Sequence, residues 1–377
     1  MEFKNLKLSK KTTFVIWVLI IAFIIAAPSI LPVFRLNLLG RYLSLAIVAL
    51  GVDLIWGFTG LLSLGQGIFF ALGGYCAAMY LQITSSSEFP NNIPEFFGLY
   101  GVDNLPFFWE PFRSPIFSLF AIWVIPALVA GILGFLVFRN RIKGVYFSIL
   151  TQAALLVFFN FFNGQQKLIN GTNGLKTDVT QLFGQMVGSE SIQRMFFWFT
   201  ALLVIAAWFF SKWVVKGRFG NILIGIRDDE PRVRFTGYNP VFFKTIIFSI
   251  AGGLAGISGA LYTVQSGIVS PQFMTVPFSI EMVIWVAVGG RGTLLGAILG
   301  AVFINYAKSL VSEALPASWM FIQGGIFILV VTSLPEGVLG WVQGEGPRNL
   351  LQRFGLKRKI ETYPSLEVKN DTEGLRK

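Results

Sequence analysis

The sequence predicts an all-α, polytopic integral membrane protein with about ten transmembrane helices, some of them broken or short. The chain is 54% hydrophobic and only 13% charged over 377 residues, whereas soluble domains carry roughly 25% charged residues. Several windows exceed the roughly 18 apolar residues that mark a membrane-spanning helix. Each span must satisfy its own backbone hydrogen bonds in lipid, so helices are the expected elements.

Ten apolar runs are the candidate spans, and the eighth is short for a full crossing. They lie near residues 13–32, 41–59, 61–82, 115–138, 145–163, 194–215, 244–264, 278–290, 294–312 and 319–340. The predicted organisation is a cytoplasmic N-terminal segment at 1–12, a transmembrane domain at 13–340 with a cytoplasmic loop at 216–243, and a cytoplasmic C-terminal tail at 341–377.

The basic residues set the expected orientation. Most of the 30 Lys and Arg residues precede the first run or lie in the loop 216–243 and the tail. Cytoplasmic segments are enriched in such residues, so both termini are expected in the cytoplasm. This pattern also accounts for the net charge of +11. We therefore expect a lipid membrane and no nucleic acid among the partners.

Several kinds of chemistry are excluded by residue usage. The chain has no His and a single cysteine, Cys76, which excludes His proton relays, Cys/His metal sites and disulfides within the chain. No stretch fits the phosphate-binding pattern G-x-x-x-x-G-K-[ST]. A membrane-embedded enzyme would need clustered ionisable groups, and the carboxylates are scattered. We therefore expect no catalytic residue, no metal and no cofactor in this chain.

A charged segment, Lys212 to Lys244, separates two long apolar runs. Its centre contains ILIGI at 222–226, which predicts a short amphipathic helix that seats Ile222, Leu223 and Ile226 in a groove of a partner protein. A solvated loop is the alternative. Pro231 argues against one continuous helix through the segment.

Glycine clusters predict two different features. Small residues four apart, such as Gly252 and Gly256, allow helix backbones to approach closely. Gly65-Gln66-Gly67 places two glycines around a polar side chain and predicts an interrupted helix. Gln66 then either lines a solute path or marks a purely structural break.

Two carboxylates lie within apolar runs, where ionisable groups are costly and therefore informative. Glu281 precedes Trp285 by one turn, so a carboxylate and an indole share one helix face. Together they could hydrogen-bond and stack on a small planar polar solute. Alternatively, Glu281 lies at the outer interface of the membrane and faces water. Asp53 either faces a solute or accepts a hydrogen bond from a neighbouring backbone or indole N–H.

Four stretches resemble the permeases of ABC importers for branched-chain amino acids, the LivM type, and within that family its urea (UrtC-type) branch. They are LGVDLIWGFTGLLSLGQGIFFALGGYCAAMYL at 50–81, NGQQKLINGTNGL at 163–175, GRFGNILIGIRDDEPRVRFTGYNP at 217–240 and SIEMVIWVAVGGRGTLLGAILGA at 279–301. NGQQKLINGTNG and EMVIWVAVGGRGT favour the urea branch.

The resemblance implies a multi-subunit importer in the inner membrane of a bacterium. Its other parts are a homologous second permease subunit, two ABC ATPase subunits that bind ATP and Mg²⁺, and an extracytoplasmic solute-binding protein. In this family the ATPase docks on a cytoplasmic coupling helix. The matching positions are Arg227, Asp228, Asp229, Glu230 and Gly237.

The expected function is urea transport by alternating access, driven by the partner ATPases. The candidate residues of the solute path are Asp53, Gln66, Phe69, Tyr75, Glu281 and Trp285. A branched-chain amino acid permease is the first alternative. A zwitterion would need paired charges or half-helix ends, and intramembrane Lys or Arg is expected to be nearly absent. A stand-alone channel or ion-driven carrier is a further alternative.

Overall fold

The computed structural model describes residues 27–86, 93–142, 144–314, 318–333 and 337–338. Its helices are α1 Val33–Thr59, α2 Gln66–Ser85, α3 Glu95–Leu99, α4 Pro115–Arg139, α5 Val145–Gly164, α6 Gln166–Ile169, α7 Glu190–Lys216, α8 Arg218–Phe235, α9 Pro240–Ser266, α10 Val276–Gly289, α11 Leu294–Ala314 and α12 Trp319–Ser333. Its strands are β1 Leu175–Lys176, β2 Gln181–Leu182, β3 Gln185–Met186 and β4 Ile268–Val269.

Seven of the described helices are long and apolar enough to cross a membrane, namely α1, α2, α4, α5, α7, α9 and α11. α10 is apolar but has only 14 residues, and α12 has 15. The all-α, polytopic membrane class is confirmed, whereas the count of ten spans is not. The predicted first span lies mostly outside the described residues, and the segments 1–12 and 341–377 lie entirely outside them.

Helix α9 is the centre of the bundle and packs against α1, α2 and α4. Its glycines permit this. A Cβ atom added at Gly259 would lie 1.8 Å from the Phe70 carbonyl oxygen, and one added at Gly73 would lie 2.1 Å from the Gly256 carbonyl oxygen. Any side chain at these crossings would push the helices apart. The predicted packing role of the small residues is therefore confirmed.

The bundle has two ends, which we name by the elements they carry. The α8 face holds α8 and the turn between α10 and α11. The hairpin face holds the β2–β3 hairpin and the β1–β4 pair. At the hairpin face, Arg35 near the start of α1 pairs with Glu313 near the end of α11 at 3.3 Å. Helices α1 and α11 therefore run in opposite directions between the two faces.

Two helix boundaries differ from the prediction. α1 begins at Val33 rather than near residue 41. Its polar first turns are satisfied by tertiary contacts, since Asn37 Nδ2 and Arg41 Nε donate to the Gln265 carbonyl oxygen at 2.9 and 3.1 Å. α2 begins at Gln66 rather than near residue 61, and residues 60–65 before it are not helical.

The predicted irregular connections pack on one another at the hairpin face. The Tyr100 hydroxyl donates to Gln166 Oε1 at 3.2 Å, and the Trp109 indole donates to the Leu168 carbonyl oxygen at 3.2 Å. Strand β1 of the second connection pairs with β4, which follows α9. These contacts hold the connections over the ends of the helices.

Candidate functional site

The charged segment forms α8, and a kink divides it. Asp229 has extended backbone angles (φ −156°, ψ 86°) inside the helix. Its Oδ1 accepts the Arg232 amide at 3.1 Å, so Asp229 acts as the N-cap of a second helical piece. Pro231 then lies in the first turn, where proline is tolerated. The interruption that Pro231 predicts is confirmed.

Arg227 ties α8 to the end of α1. Its Nη1 donates to the Gly57 carbonyl oxygen at 3.0 Å, and its Nε donates to Asp228 Oδ1 at 3.0 Å. Its side chain also lies against Gly60, which ends α1 in the left-handed region with φ 74°. A guanidinium at a helix C-terminus complements the partial negative charge of the last carbonyls.

The apolar residues of α8 face this chain itself. Ile226 is 5% exposed and Leu223 is fully buried, whereas Ile222 is half-buried. Leu223 packs in a core cluster with residues of α1, α7 and α9. The expectation that Ile226 seats in a partner's groove therefore does not fit the structure. An amphipathic pattern shows that one side of a helix is buried, but not which surface buries it.

Glu230 is an internal brace of the α8 face. Its Oε2 accepts from Lys244 Nζ at 2.7 Å, and its Oε1 accepts from Arg234 Nη2 at 2.7 Å. The Glu230 and Lys244 side chains are both almost fully buried. Lys244 belongs to the first turns of α9, so this pair fixes the second piece of α8 on the central helix. Glu230 is thus not part of an exposed charged surface.

The exposed part of the segment lies beyond the kink. Phe235 is 92% exposed, Tyr238 is exposed, and Gly237 between them is exposed with φ 88°. Asp228 is exposed as well. Exposed aromatic side chains at the end of a bundle commonly mark an interaction surface.

Asp53 lies near the same face and anchors the turn between α10 and α11. Its Oδ1 accepts the Gly292 amide at 2.6 Å, and the neighbouring Arg291 donates from Nε to the Trp56 carbonyl oxygen at 3.2 Å. Burial and the nearby Arg227 charge lower the pKa of Arg291, while Asp53 opposes that shift. The backbone-bonded alternative for Asp53 is the one that the structure shows.

The starts of α2 and α10 meet inside the bundle, at a place we call the α2–α10 junction (residues 65–67 and 273–279). The Gly67 amide donates to the Ser279 hydroxyl at 3.3 Å. The non-helical residues before Gln66 lie beside α5, and the Leu64 amide donates to Thr151 Oγ1 of that helix at 3.0 Å. Residues 60–65 are not helical and α2 begins at Gln66, so Gly65-Gln66-Gly67 marks the start of a helix rather than a break within one. Side-chain hydroxyls bond the Leu64 and Gly67 amides there.

Gln66 lies at this junction and is 1% exposed. Neither its Oε1 nor its Nε2 has a hydrogen-bond partner among the described residues. Buried amides in folded proteins are almost always bonded. An unsatisfied one therefore requires an explanation, and water or a ligand is the ordinary one.

Phe69 follows Gln66 by one turn and lines a cavity of 350 Å³. The cavity lies between α2, α4, α5 and α9 and has an almost entirely apolar lining that includes Gly65, Phe147 and Phe248. The Phe69 and Phe248 rings meet edge to face at 5.5 Å. An apolar cavity thus opens onto the first residues of α2.

Three further predicted residues carry a buried polar atom without a partner in the described part of the chain, namely Asp53 Oδ2, Tyr75 Oη and Trp285 Nε1. Trp285 connects to α2 through rings, since Phe278 lies 6.4 Å from Trp285 and 5.2 Å from Phe70. Tyr75 lies further along α2 against Phe162. The structure therefore places Gln66 at the α2–α10 junction, Phe69 against α9, and Trp285 one ring contact away from α2 through Phe278, while Tyr75 lies nearer the hairpin face.

Glu281 is bound in an ion pair. Lys308 Nζ on α11 donates to both carboxylate oxygens at 2.8 Å. Lys308 lies in the last two turns of α11, a candidate span, and its side chain is partly exposed. Its partner is 27 residues away in sequence, so the apolar run alone gave no sign of the pair.

A family model described as the permease component of branched-chain amino acid transport systems matches residues 34–331. The chain belongs to this family. The permease is 26% identical to the high-affinity branched-chain amino acid permease protein LivM of Escherichia coli K12, over 78% of this chain and 67% of that protein. It is 22% identical to a probable LivM of Methanocaldococcus jannaschii, over 60% and 70%.

A further relative is named for the import of a different solute. The autoinducer 2 import permease LsrC of Salmonella choleraesuis is 29% identical over 55% of this chain and 59% of that protein. No solved structure matches the chain. The family description and the LivM relatives support branched-chain amino acids, so the sequence-based choice of urea is not supported and its alternative fits better.

Sequence reasoning missed several residues that position these sites in the permease. Ser279 and Thr151 bond the backbone around Gln66, and Arg291 holds the last turn of α1. For Ser279 and Thr151, the only indication in the sequence was a hydroxyl side chain within an apolar run. The Gly-rich stretch around Arg291 indicated a turn but not its contact.

Proposed function

We propose that this chain is the permease subunit of an ATP-driven importer of branched-chain amino acids. The observation that carries the proposal is the family match over residues 34–331, together with LivM relatives that are named for these solutes. One feature of the bundle supports it. α10 has only 14 residues and its first turn meets that of α2, and such half-helix ends suit the carboxylate of a zwitterion.

The proposed importer needs further subunits. The sequence contains no phosphate-binding loop of the G-x-x-x-x-G-K-[ST] type, so two partner ATPases would bind ATP and Mg²⁺. A homologous second permease would complete the membrane part, and a solute-binding protein would deliver the amino acid. We place the α8 face in the cytoplasm of a bacterial cell and the hairpin face outside.

In this proposal the ATPase binds the exposed end of α8 and moves it. The surface would centre on Phe235 and Tyr238, with Asp228 at its edge. Arg227 would pass the movement to Gly57 and Gly60 at the end of α1. Residues 60–65 lead from there directly to Gln66, so this route connects the ATPase surface to the α2–α10 junction.

The test is uptake by the complete transporter in proteoliposomes. We expect ATP-dependent accumulation of radiolabelled leucine, and little accumulation of urea. Urea accumulation without leucine accumulation would overturn the proposal. Liposomes that contain this chain alone serve as the control, because leucine flux without the ATPases would instead identify a channel or carrier.

A further inference from the structure

Two helix N-termini lie side by side at the α2–α10 junction. α2 begins at Gln66 and α10 begins at Val276, and the Gly67 amide of α2 reaches the Ser279 hydroxyl of α10. Neither N-cap residue, Gly65 or Thr275, bonds its own helix through a side chain. Helix N-termini carry partial positive charge. The junction therefore presents two such ends to whatever lies beside it.

The junction lies within the membrane-spanning part of the bundle. Phe69, one turn into α2, packs on Phe248, which follows the first residue of α9, Pro240, by eight positions. Eight residues of α-helix correspond to about 12 Å. A hydrocarbon core is roughly 30 Å thick, so the charge of these N-termini acts where water is scarce.

Gln66 is the independent sign of a ligand at this place. Its amide is 1% exposed, and both of its polar atoms lack a partner among the residues described. The backbone encloses it, since a Cβ atom on Gly67 would lie 2.4 Å from the Phe273 carbonyl oxygen and one on Gly65 would lie 2.9 Å from the Thr151 carbonyl oxygen. Burying an amide without partners is unfavourable. A polar ligand would remove that cost.

The apolar cavity adjoins the junction at Gly65, and Gln66 itself does not line it. Its volume is 350 Å³, and Gly65, Ile68 and Phe69 line it from the first turn of α2, with Ala154 of α5 on the opposite side. Sites for small molecules usually measure roughly 300–1,000 Å³ and combine apolar walls with a few polar groups. A polar head group at Gln66 and an aliphatic chain in the cavity would occupy both parts at once.

We propose that the α2–α10 junction binds the amino acid during its passage, which rests on the proposed function. The carboxylate faces the N-termini of α2 and α10 and accepts from Gln66 Nε2, and the ammonium donates to Gln66 Oε1. The branched side chain enters the cavity beside Phe69. A single amide thus serves both charges of the zwitterion, while the helix ends select the carboxylate.

The first test replaces the amide. Gln66→Leu removes a polar group that has no partner in the chain, so the unfolding midpoint is expected to stay or rise. Leucine uptake per folded transporter, at saturating loaded binding protein, is expected to fall about tenfold or more. Gln193→Leu is the matched control, because Gln193 Nε2 donates to the Val187 and Val264 carbonyl oxygens at 2.8 and 3.2 Å. That variant should lose stability and keep its uptake per folded transporter.

The second test fills the cavity without touching the amide. Ala154→Leu adds bulk at a half-buried position and is expected to lower leucine uptake relative to alanine uptake at least several-fold. This ratio decides the question if Gln66→Leu fails to fold. An unchanged ratio, or wild-type uptake by folded Gln66→Leu, would overturn the site.

The outcomes separate this site from the proposed function. A wild-type transporter that accumulates leucine, with both variants unchanged, refutes the junction as a binding site and leaves the function standing. A wild-type transporter that accumulates urea and not leucine refutes the function. If an excess of isoleucine lowers leucine uptake and an equal excess of leucinamide does not, the result would support recognition of the carboxylate.

Discussion

Arg227 Nη1 on α8 donates a hydrogen bond of 3.0 Å to the carbonyl oxygen of Gly57 in the last turn of α1. This bond joins α8, which is proposed to meet the ATPase, to α1, which leads through residues 60–65 to Gln66. Arg291, in the turn between α10 and α11, donates to the adjacent Trp56 carbonyl oxygen at 3.2 Å. The end of α1 is therefore gripped by two separate elements of the α8 face.

Replacing Arg227 by Ala should uncouple ATP hydrolysis from uptake. The bond to Gly57 would be lost, and hydrogen bonds to charged groups contribute about 1.5–3 kcal/mol. We expect the complex to assemble and hydrolyse ATP, while leucine uptake per ATP falls about tenfold. Arg232→Ala is the control, since that side chain is exposed and, within the described part of the chain, pairs only with Asp229, at 3.4 Å. Equal coupling in the two variants would contradict the role of Arg227.

Ile226 and Phe235 should respond in opposite ways to a negative charge. Ile226→Asp places a carboxylate in the core and should prevent stable folding, because burying an unpaired charge is strongly unfavourable. Phe235→Asp changes an exposed side chain and should leave the permease folded but weaken ATPase binding. Size-exclusion chromatography and co-purification measure both. A folded Ile226→Asp that loses the ATPase would restore the original sequence-based assignment.

The Glu230–Lys244 pair should show strong coupling in a double-mutant cycle. Removing one partner of a buried ion pair costs about 3–5 kcal/mol because the other charge is left uncompensated. Glu230→Gln removes the carboxylate that Lys244 and Arg234 both contact, so it should lower the unfolding midpoint more than Lys244→Met, after which Arg234 still pairs with Glu230. The double variant should regain part of the loss. Thermal unfolding in detergent measures the cycle. Additive losses would show that the two side chains do not depend on each other.

The Glu281–Lys308 pair should behave as a brace between α10 and α11. Lys308→Met leaves the Glu281 carboxylate without its partner and should reduce the yield of folded protein. The double variant Glu281→Gln/Lys308→Met should recover both the fold and leucine uptake. Recovery of the fold without uptake would return Glu281 to the solute path that its position in an apolar run predicts.

The sequence predicted what depends on local composition. The apolar runs and the close packing at Gly256 follow from residue type and spacing, and the glycines around Gln66 indicated irregular backbone there. The partners of individual polar groups could not be predicted, because they are distant in sequence. Asn37 is satisfied by Gln193 and Gln265, so α1 extends through residues that hydropathy excludes.

The candidate sites divide in the same way. The sequence singled out Gln66 and Phe69, whose setting is local to the start of α2. It misjudged Ile226 because periodicity identifies a buried face without identifying what covers it. It gave no sign that Lys308 pairs with Glu281, since the cost of a lysine in an apolar helix depends on a carboxylate from another helix.

The short helix α10 has a topological consequence. Its 14 residues measure about 21 Å, less than the roughly 30 Å of a hydrocarbon core. Residues 267–275 cover the remaining depth as they descend from the hairpin face, so the chain crosses once between α9 and α11 without a full-length helix. If only long helices are counted as crossings, this one is omitted, and every later segment is assigned to the wrong face of the membrane. Single cysteines placed before and after α10 in a Cys76→Ser background, and labelled from one side of the membrane, would show whether the two positions lie on opposite faces.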